Sequence, residues 1–313
     1  MSSGAIDLKR KIKLGSVDQW ISIRSADAHN PLILFLHGGP GTALLSFSRK
    51  PQRALARHFL VVNWDQRGAG RSYASSLRVE DMTIDRFVLD AEELVESLLR
   101  EFGQARLFLV GQSWGSIVGT KLAAKRPELI EAYIGMGQVV DMKRGEELSY
   151  RFTLEEAERV GNGKALGELR RIGHPPYRSL RDAGIQRKWL SRLHGATAKG
   201  SLIGTLFRQL SVRDTRPLDP VRFVRGAMFS LRCLEEQQNQ VILEDEVPEL
   251  DVPAYFCCGR RDYNVPFELV VEYAERLRAP KVEIVWFDHS GHLPNFEEPD
   301  KFCDFCVRLL SST

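Results

Sequence analysis

Short runs of consecutive apolar residues recur along the chain, each followed by a turn signal and then by a helical pattern. Runs that are apolar throughout, rather than alternating with polar residues, are typical of strands that helices cover on both faces. Six such runs predict strands, at Leu32–Leu36, Phe59–Trp64, Leu107–Val110, Ala132–Met136, Ala254–Cys258 and Val282–Phe287. Because strands alternate with helices through short links, the pattern predicts an α/β fold with a doubly wound, mostly parallel sheet.

The segments between these strands have the period of amphipathic helices. The clearest helix starts after Thr83, whose hydroxyl suits an N-cap, and stops at Gly103, which suits a C-terminal cap. Its apolar stripe consists of Phe87, Ala91, Leu94 and Leu98. Further helices are predicted at Trp114–Lys125, Glu268–Leu277 and Glu298–Leu310.

Residues 142–249 break this rhythm, because they contain several helical patterns and no apolar run that would make a buried strand. We expect helices at Leu154–Val160, Ala165–Ile172, Ile185–Leu193 and Arg222–Glu236. The position before the last two strands predicts a helical cap, or lid, at 142–249, with a core domain formed by 1–141 and 250–313. The alternative is a solvated helical appendage.

The overall composition is that of an ordinary globular protein. Apolar residues make up 43% and charged residues 27% of the 313 positions, which argues against disorder. The formal net charge of +3 is small for this length, so charge gives no reason to expect nucleic acid or an anionic membrane as a partner.

Five cysteines, at positions 233, 257, 258, 303 and 306, form an odd and clustered set unlike an extracellular disulfide framework. The pair Cys303–x–x–Cys306 lies in a predicted terminal helix without a second pair, so no metal is expected. The N-terminus has no leader pattern, and the longest apolar runs are too short to span a bilayer. We therefore expect a soluble cytoplasmic protein with reduced thiols.

The strongest chemical signal is Gly111-Gln112-Ser113-Trp114-Gly115-Ser116, between the strand LFLV and a helical run. This is the context of a G-x-S-x-G nucleophile elbow. The flanking glycines remove side chains that would collide in the strained turn, and the serine hydroxyl lies at a helix N-terminus, where developing negative charge is favoured. The motif predicts Ser113 as a nucleophile.

A serine hydroxyl needs a general base, and the base in turn needs an orienting carboxylate. His292 follows Gly291 in a loop after the strand VEIVWF, and Asp262 follows the strand AYFCC. The chain order Ser–Asp–His is that of α/β-hydrolases. His289 and Asp288 are rivals for these roles, but they sit at the strand end rather than in the loop.

The loop His37-Gly38-Gly39-Pro40-Gly41 follows the strand LILFL and predicts an oxyanion hole. We expect its donors to be the backbone N–H groups of Gly39 and of Trp114, the residue after the nucleophile. The alternative is a tight Gly-Pro turn without a chemical role.

The segment DQRGAGRS at 65–72 does not satisfy the glycine spacing of a dinucleotide-binding loop. We interpret it as a turn braced by Asp65 and Arg67 near the floor of the site.

Taken together, these motifs resemble the prolyl iminopeptidase family of α/β-hydrolases. The matching segments are HGGPG at 37–41, DQRGAGRS at 65–72, GQSWGS at 111–116, GRRD at 259–262 and SGH at 290–292. The resemblance covers nearly the whole chain except the lid. It implies an α/β-hydrolase fold with a helical lid, with the family's nucleophile, acid and base at Ser113, Asp262 and His292, and its oxyanion donors at Gly39 and Trp114.

Members of that family remove an N-terminal residue, often proline, and hold the substrate's ammonium group with acidic side chains, mostly in the lid. Here Tyr263, rather than another acid, follows Asp262, and the lid holds more Lys and Arg than Asp and Glu, which disfavours a cationic substrate. The lid carboxylates that remain candidates are Glu146, Glu147, Glu235 and Glu236. The alternative is a solvated helix face.

The sequence thus predicts a serine hydrolase that acts through an acyl-enzyme on a small molecule or short peptide and needs no cofactor. The resemblance favours release of an N-terminal residue from peptides. An esterase, lactonase or amidase acting on a small metabolite is the main alternative, and a lyase or a binding module on the same fold is a remote one.

Overall fold

The computed structural model describes residues 4–311, which form one eight-stranded sheet with helices on both faces. The strand order is β1-β2-β4-β3-β5-β6-β7-β8, and β3 to β8 are parallel. The strands are β1 (Ile6–Leu14), β2 (Val17–Ser25), β3 (Leu32–Leu36), β4 (Leu60–Asp65), β5 (Leu107–Gln112), β6 (Ile130–Met136), β7 (Ala254–Gly259) and β8 (Val282–Phe287). All six predicted strands are present, with ends shifted by at most two residues.

The N-terminal hairpin of β1 and β2 was not predicted. Its two strands are antiparallel and extend the sheet beyond β4. The sequence IDLKRKIKL alternates apolar and polar residues, as expected for an edge strand with one face in solvent. A search for continuous apolar runs therefore passes over it.

The side chains of the parallel strands divide between two cores. Leu34 of β3 belongs to the core under α1 (Ile84–Phe102), α2 (Trp114–Lys125) and α9 (Phe267–Arg276). Phe35, its neighbour, points to the opposite core under α11 (Pro299–Leu310). Both faces of β3 are thus dry, which is why its sequence is apolar throughout, whereas the edge strand β8 is half-buried and contains Glu283.

The predicted caps of α1 are both present. The Thr83 side chain accepts a hydrogen bond from the Arg86 backbone N–H at 3.2 Å, and Gly103 ends the helix at φ 65°. Cys303 and Cys306 are buried free thiols in α11. Within residues 4–311 no cluster of three His, Cys, Asp or Glu side chains suits a metal ion, and no helix is long and apolar enough to cross a membrane.

Six α-helices lie between β6 and β7, and together they are called the lid below. They are α3 (Met142–Arg159), α4 (Gly163–Ile172), α5 (Leu180–Arg192), α6 (Leu202–Arg208), α7 (Asp219–Asn239) and α8 (Leu243–Glu246). The helix predicted at Leu154–Val160 is only the end of α3, which starts twelve residues earlier because Asp141 caps it. The short α6 was not predicted.

The lid rests on the core mainly through α7. Ser230 donates to the Gly68 carbonyl at 3.2 Å, and a Cβ at Gly226 would lie 2.7 Å from the same oxygen. At the start of α7, Asp219 forms a buried ion pair with Arg71 at 2.6 Å. Helix α7 of the lid therefore packs on the 65–72 turn.

A last short helix, α10 (Pro294–Glu297), precedes α11.

Candidate active site

The sharp turn predicted around Ser113 is present between β5 and α2. Ser113 has φ 50° and ψ −121°, an unusual conformation for a residue with a side chain, and its N–H donates to the Met136 carbonyl at 2.9 Å. A Cβ at Gly115 would lie 2.1 Å from the Leu36 carbonyl oxygen, and one at Gly111 would lie 2.7 Å from Ser116 Cα. Only glycine fits at these two positions, so the sequence motif is a steric requirement of the turn.

His292 and Asp262 lie beside this elbow and are hydrogen-bonded to each other. His292 Nδ1 is 2.9 Å from Asp262 Oδ2, and both side chains are buried. The other oxygen of Asp262 accepts the backbone N–H groups of Asn264 at 3.0 Å and Val265 at 2.9 Å. Because the carboxylate can only accept, the imidazole carries its proton on Nδ1, and Nε2 is left as an acceptor.

The rival residues Asp288 and His289 are exposed at the end of β8. Asp288 pairs with Arg260 at 3.4 Å and Lys301 at 3.5 Å. Neither rival takes part in the buried arrangement.

Gly137, directly after β6, is a residue of this site that the sequence patterns did not reveal. Its φ is +51°, and a Cβ there would lie 2.6 Å from His292 Cε1, 2.7 Å from His292 Nδ1 and 3.2 Å from Asp262 Oδ2. A signal existed, since ligand sites of parallel sheets gather at the carboxyl ends of the strands. The absent side chain makes room for the His–Asp contact.

The glycine-rich loop after β3 packs directly over the serine. A Cβ at Gly38 would lie 3.1 Å from Ser113 Cβ, and Gly39 has φ +122°. On the other side, the Trp114 N–H is the first of helix α2 and has no acceptor within the helix. The backbone of both predicted segments therefore borders the serine.

A buried hydrogen-bond network connects these segments. His37 Nε2 accepts the Gln66 backbone N–H at 3.1 Å, and the Gln66 side chain joins the His37 carbonyl at 2.9 Å to Trp114 Nε1 at 3.0 Å. Burial lowers the pKa of His37 to about 4, so this imidazole is neutral and structural. The network holds the glycine loop against the elbow.

The predicted bracing of the 65–72 turn is divided between two residues. Asp65 accepts the backbone N–H groups of Leu45 at 3.3 Å and Arg71 at 3.1 Å, and burial raises its pKa to about 7. Arg67 instead reaches outward to Asp90 of α1, at 2.8 Å, and to the Leu14 carbonyl, at 3.2 Å. Asp65 shapes the turn, and Arg67 fastens it to the first hairpin and α1.

A cavity of about 620 Å³ opens between the lid and the ends of the strands, and Ser113, His292 and Gly39 line it. Most of its wall is apolar, with contributions from Leu44, Val139, Met142, Leu180, Leu202, Leu206, Leu231, Val265 and Leu293. The charged lining comes entirely from the lid: Lys143, Glu146, Glu147, Arg187 and Glu235. Glu236, also a sequence candidate, is exposed and lies outside the described lining.

Three carboxylates therefore face two cations in this cavity. Arg187 is the single arginine among the lining residues in the described part of the chain. The arginine excess of the lid lies elsewhere on its surface, so the expectation that it disfavours a cationic substrate does not apply to the cavity.

Glu146, a lining residue, has one carboxylate oxygen that is paired and one that is not. Oε1 pairs with Arg187, whereas Oε2 is buried and has no hydrogen-bond partner among residues 4–311. The hydroxyl of Tyr177, another lining residue, is likewise buried and unpartnered within that range. Buried polar atoms without partners are costly, so these two unpaired atoms are exceptional features of the cavity wall.

The chain belongs to the alpha/beta hydrolase fold family, whose model matches residues 31–299. It is 32% identical over 306 residues to the probable aminopeptidase YbaC of Bacillus subtilis (strain 168), covering 97% of this chain and 96% of that protein. It is 23% identical over 294 residues to a proline iminopeptidase of Heyndrickxia coagulans, covering 90% of each.

Other relatives bear the names of other hydrolases. A putative carbamate hydrolase, RutD, of Agrobacterium fabrum is 24% identical over 287 residues, covering 91% of this chain and 94% of that protein. Among solved structures, a proline iminopeptidase-related protein from Thermus thermophilus superposes with a TM-score of 0.68 at 19% identity, covering 98% of each chain.

Proposed function

We propose that this chain is a serine hydrolase in which Ser113 is the nucleophile, His292 the general base and Asp262 the carboxylate that orients the base. The observation that carries the proposal is the buried 2.9 Å contact between His292 Nδ1 and Asp262 Oδ2, beside a serine in an elbow conformation. All three groups have the roles that acyl transfer requires.

The reaction follows from these positions. His292 Nε2 takes the hydroxyl proton as Ser113 Oγ attacks the substrate's carbonyl carbon, and Asp262 stabilises the resulting imidazolium. The N–H groups of Gly39 and Trp114 donate to the tetrahedral oxyanion. Collapse of this intermediate expels the amine or alcohol, which takes the proton from Nε2. Water, deprotonated by the same nitrogen, then hydrolyses the acyl-enzyme and restores Ser113.

For the substrate we propose a short peptide or its amide with a free N-terminus, from which the first residue is released. The printed names of the relatives from Bacillus subtilis and Heyndrickxia coagulans support this class. The carboxylates of Glu146 on α3 and Glu235 on α7 line the same cavity as Ser113, and carboxylates accept charge-assisted hydrogen bonds from an ammonium group.

The first experiment measures hydrolysis of prolyl-, alanyl- and leucyl-arylamides, an N-blocked prolyl-arylamide, and short-chain aryl esters. We expect cleavage of a free aminoacyl-arylamide, no cleavage of the blocked one, and a loss of about 10⁴-fold or more in kcat for Ser113→Ala. Full activity of Ser113→Ala would contradict the proposal.

A second candidate, hydrolysis of a neutral ester or carbamate, is favoured by the largely apolar cavity wall. It predicts Ser113-dependent ester turnover with no turnover of any free arylamide. In that outcome the roles of Ser113, His292 and Asp262 would stand, and the substrate class would change.

A further inference from the structure

A lid segment is hydrogen-bonded to both loops that carry the proposed acid and base. This segment, Gly195–Ala198, connects α5 to α6 and is called the strap below. The Gly195 carbonyl accepts the N–H of Tyr263, the residue after Asp262, at 2.8 Å. The Ala196 carbonyl accepts the N–H of His292 itself at 2.9 Å. The strap therefore fixes the main chain at the base and next to the acid.

The strap and the His292 loop are also in close backbone contact. A Cβ at Gly291 would lie 2.6 Å from the Ala196 carbonyl oxygen and 2.8 Å from Thr197 Cα. Ala196 and Thr197 are buried. Any outward movement of the strap would thus remove both the hydrogen bond and the packing that hold the His292 loop.

One side chain, that of Glu297, is hydrogen-bonded to both the strap and the His292 loop. Glu297, the last residue of α10, accepts the Ala198 N–H through Oε2 at 2.7 Å and the Gly291 N–H through Oε1 at 3.0 Å. One oxygen thus holds the strap, and the other holds the residue before the base. The carboxylate is partly buried and, unlike Asp262, does not contact the imidazole.

We propose that Glu297 is a positioning residue for the general base: its carboxylate clamps the strap onto the His292 loop and so keeps the imidazole aligned with Ser113. The inference rests on the proposed serine-hydrolase function. The physical reason is that two charge-assisted hydrogen bonds from one carboxylate hold the strap and the His292 loop together. A displacement of about 1 Å at a catalytic group lowers the rate by about 10²-fold.

The test compares Glu297→Ala, Glu297→Gln and the wild-type chain with two readouts. One is the second-order rate of reaction with a fluorophosphonate, in which Ser113 Oγ bonds to phosphorus, fluoride leaves and the proton passes to His292. The other is kcat and KM for the substrate established by the arylamide and ester panel. We expect Glu297→Ala to lower both rates by about tenfold or more while KM changes little.

Glu297→Gln keeps one accepting oxygen and should retain part of the rate. Glu93→Ala is the matched control, because Glu93 also accepts a backbone N–H, that of Gly15 at 2.7 Å, on a part of the sheet away from the site. The melting temperatures of Glu93→Ala and of the Glu297 variants report any general loss of stability. The reaction rates of Glu93→Ala should equal those of the wild type.

A folded Glu297→Ala variant with wild-type rates would overturn the inference. Should that variant fail to fold, the folded Glu297→Gln decides, because a wild-type rate there would also overturn it. A different result, in which the wild type does not react with the fluorophosphonate at Ser113, would contradict the proposed function and the inference with it.

Discussion

At the scale of single residues, the site depends on side chains that are absent as much as on those present. Ser113 takes its conformation because Gly111 and Gly115 let the turn close against Ser116 and Leu36. Gly137 likewise has no side chain that would collide with His292 and Asp262. Each of these glycines is required by a neighbour in space, so its importance can be measured by adding a single methyl group.

Gly137→Ala should lower kcat by about 10²-fold, because the new Cβ would displace the imidazole from Asp262. Gly161→Ala is the matched control: φ is +68° there, against +51° at Gly137, and a Cβ added at Gly161 would meet no atom within 4 Å. Both variants carry the backbone strain of a positive φ, which costs about 1 kcal/mol. Steady-state kinetics of the two variants therefore separate the effect of the contact with His292 from that of backbone strain. Equal kcat values for Gly137→Ala and Gly161→Ala would contradict the prediction.

At the scale of elements, the lid is attached to the core by helix packing as well as by the strap. Helix α7 lies against the 65–72 turn and the glycine loop, where Gly226 meets Gly68 and Gly41 meets Ala227 and Ser230. This close backbone approach fixes the position of α7, and with it Leu231 and Glu235 on the cavity wall.

Gly226→Ala should destabilise the protein by about 2 kcal/mol relative to Gly167→Ala, since its Cβ would lie 2.7 Å from the Gly68 carbonyl oxygen. A Cβ added at Gly167, in the lid helix α4, would meet no atom within 4 Å. Both variants gain the same helix propensity, about 1 kcal/mol, so their difference isolates the contact. Urea denaturation gives the free energy of unfolding of each, and equal values would show that α7 can move outward without cost.

At the scale of the whole molecule, the distribution of charge matters more than its sum. The chain has a formal charge of +3, yet the cavity combines three carboxylates with two cations. Many of the other charged residues pair on the outer surface, as Arg159 does with Glu156 and Arg170 with Glu158. The cavity therefore has one more carboxylate than cation although the protein as a whole is basic.

Glu235→Gln should raise KM for a free aminoacyl-arylamide by about tenfold, the value of one charge-assisted hydrogen bond, and leave KM for a neutral aryl ester unchanged. Glu236→Gln is the control, since that neighbour is exposed and outside the described cavity lining. If the two variants give the same KM for the arylamide, Glu235 does not bind the ammonium group.

The sequence alone determined those features that depend on neighbours along the chain. Apolar runs predicted six of the eight strands because their residues are mostly buried, fully so in β3, β4, β5 and β7. The caps at Thr83 and Gly103 delimit α1 through contacts within four residues. The elbow around Ser113 and the chain order of Asp262 and His292 could also be predicted, since each follows a strand at the same edge of the sheet.

Only the tertiary structure decided what depends on residues that are distant in the chain. It brought Gly137 to the imidazole, and it brought Glu297 and the strap to the loop that carries His292. It also selected Glu146, Glu147 and Glu235 rather than Glu236 for the cavity, and left Arg187 as the single arginine of the described lining. Such contacts leave little local signal, because a glycine or a glutamate is compatible with many environments and its partner is set by how helices and loops pack. The residues of the proposed chemistry were therefore predictable, whereas those that position them and shape the cavity were not.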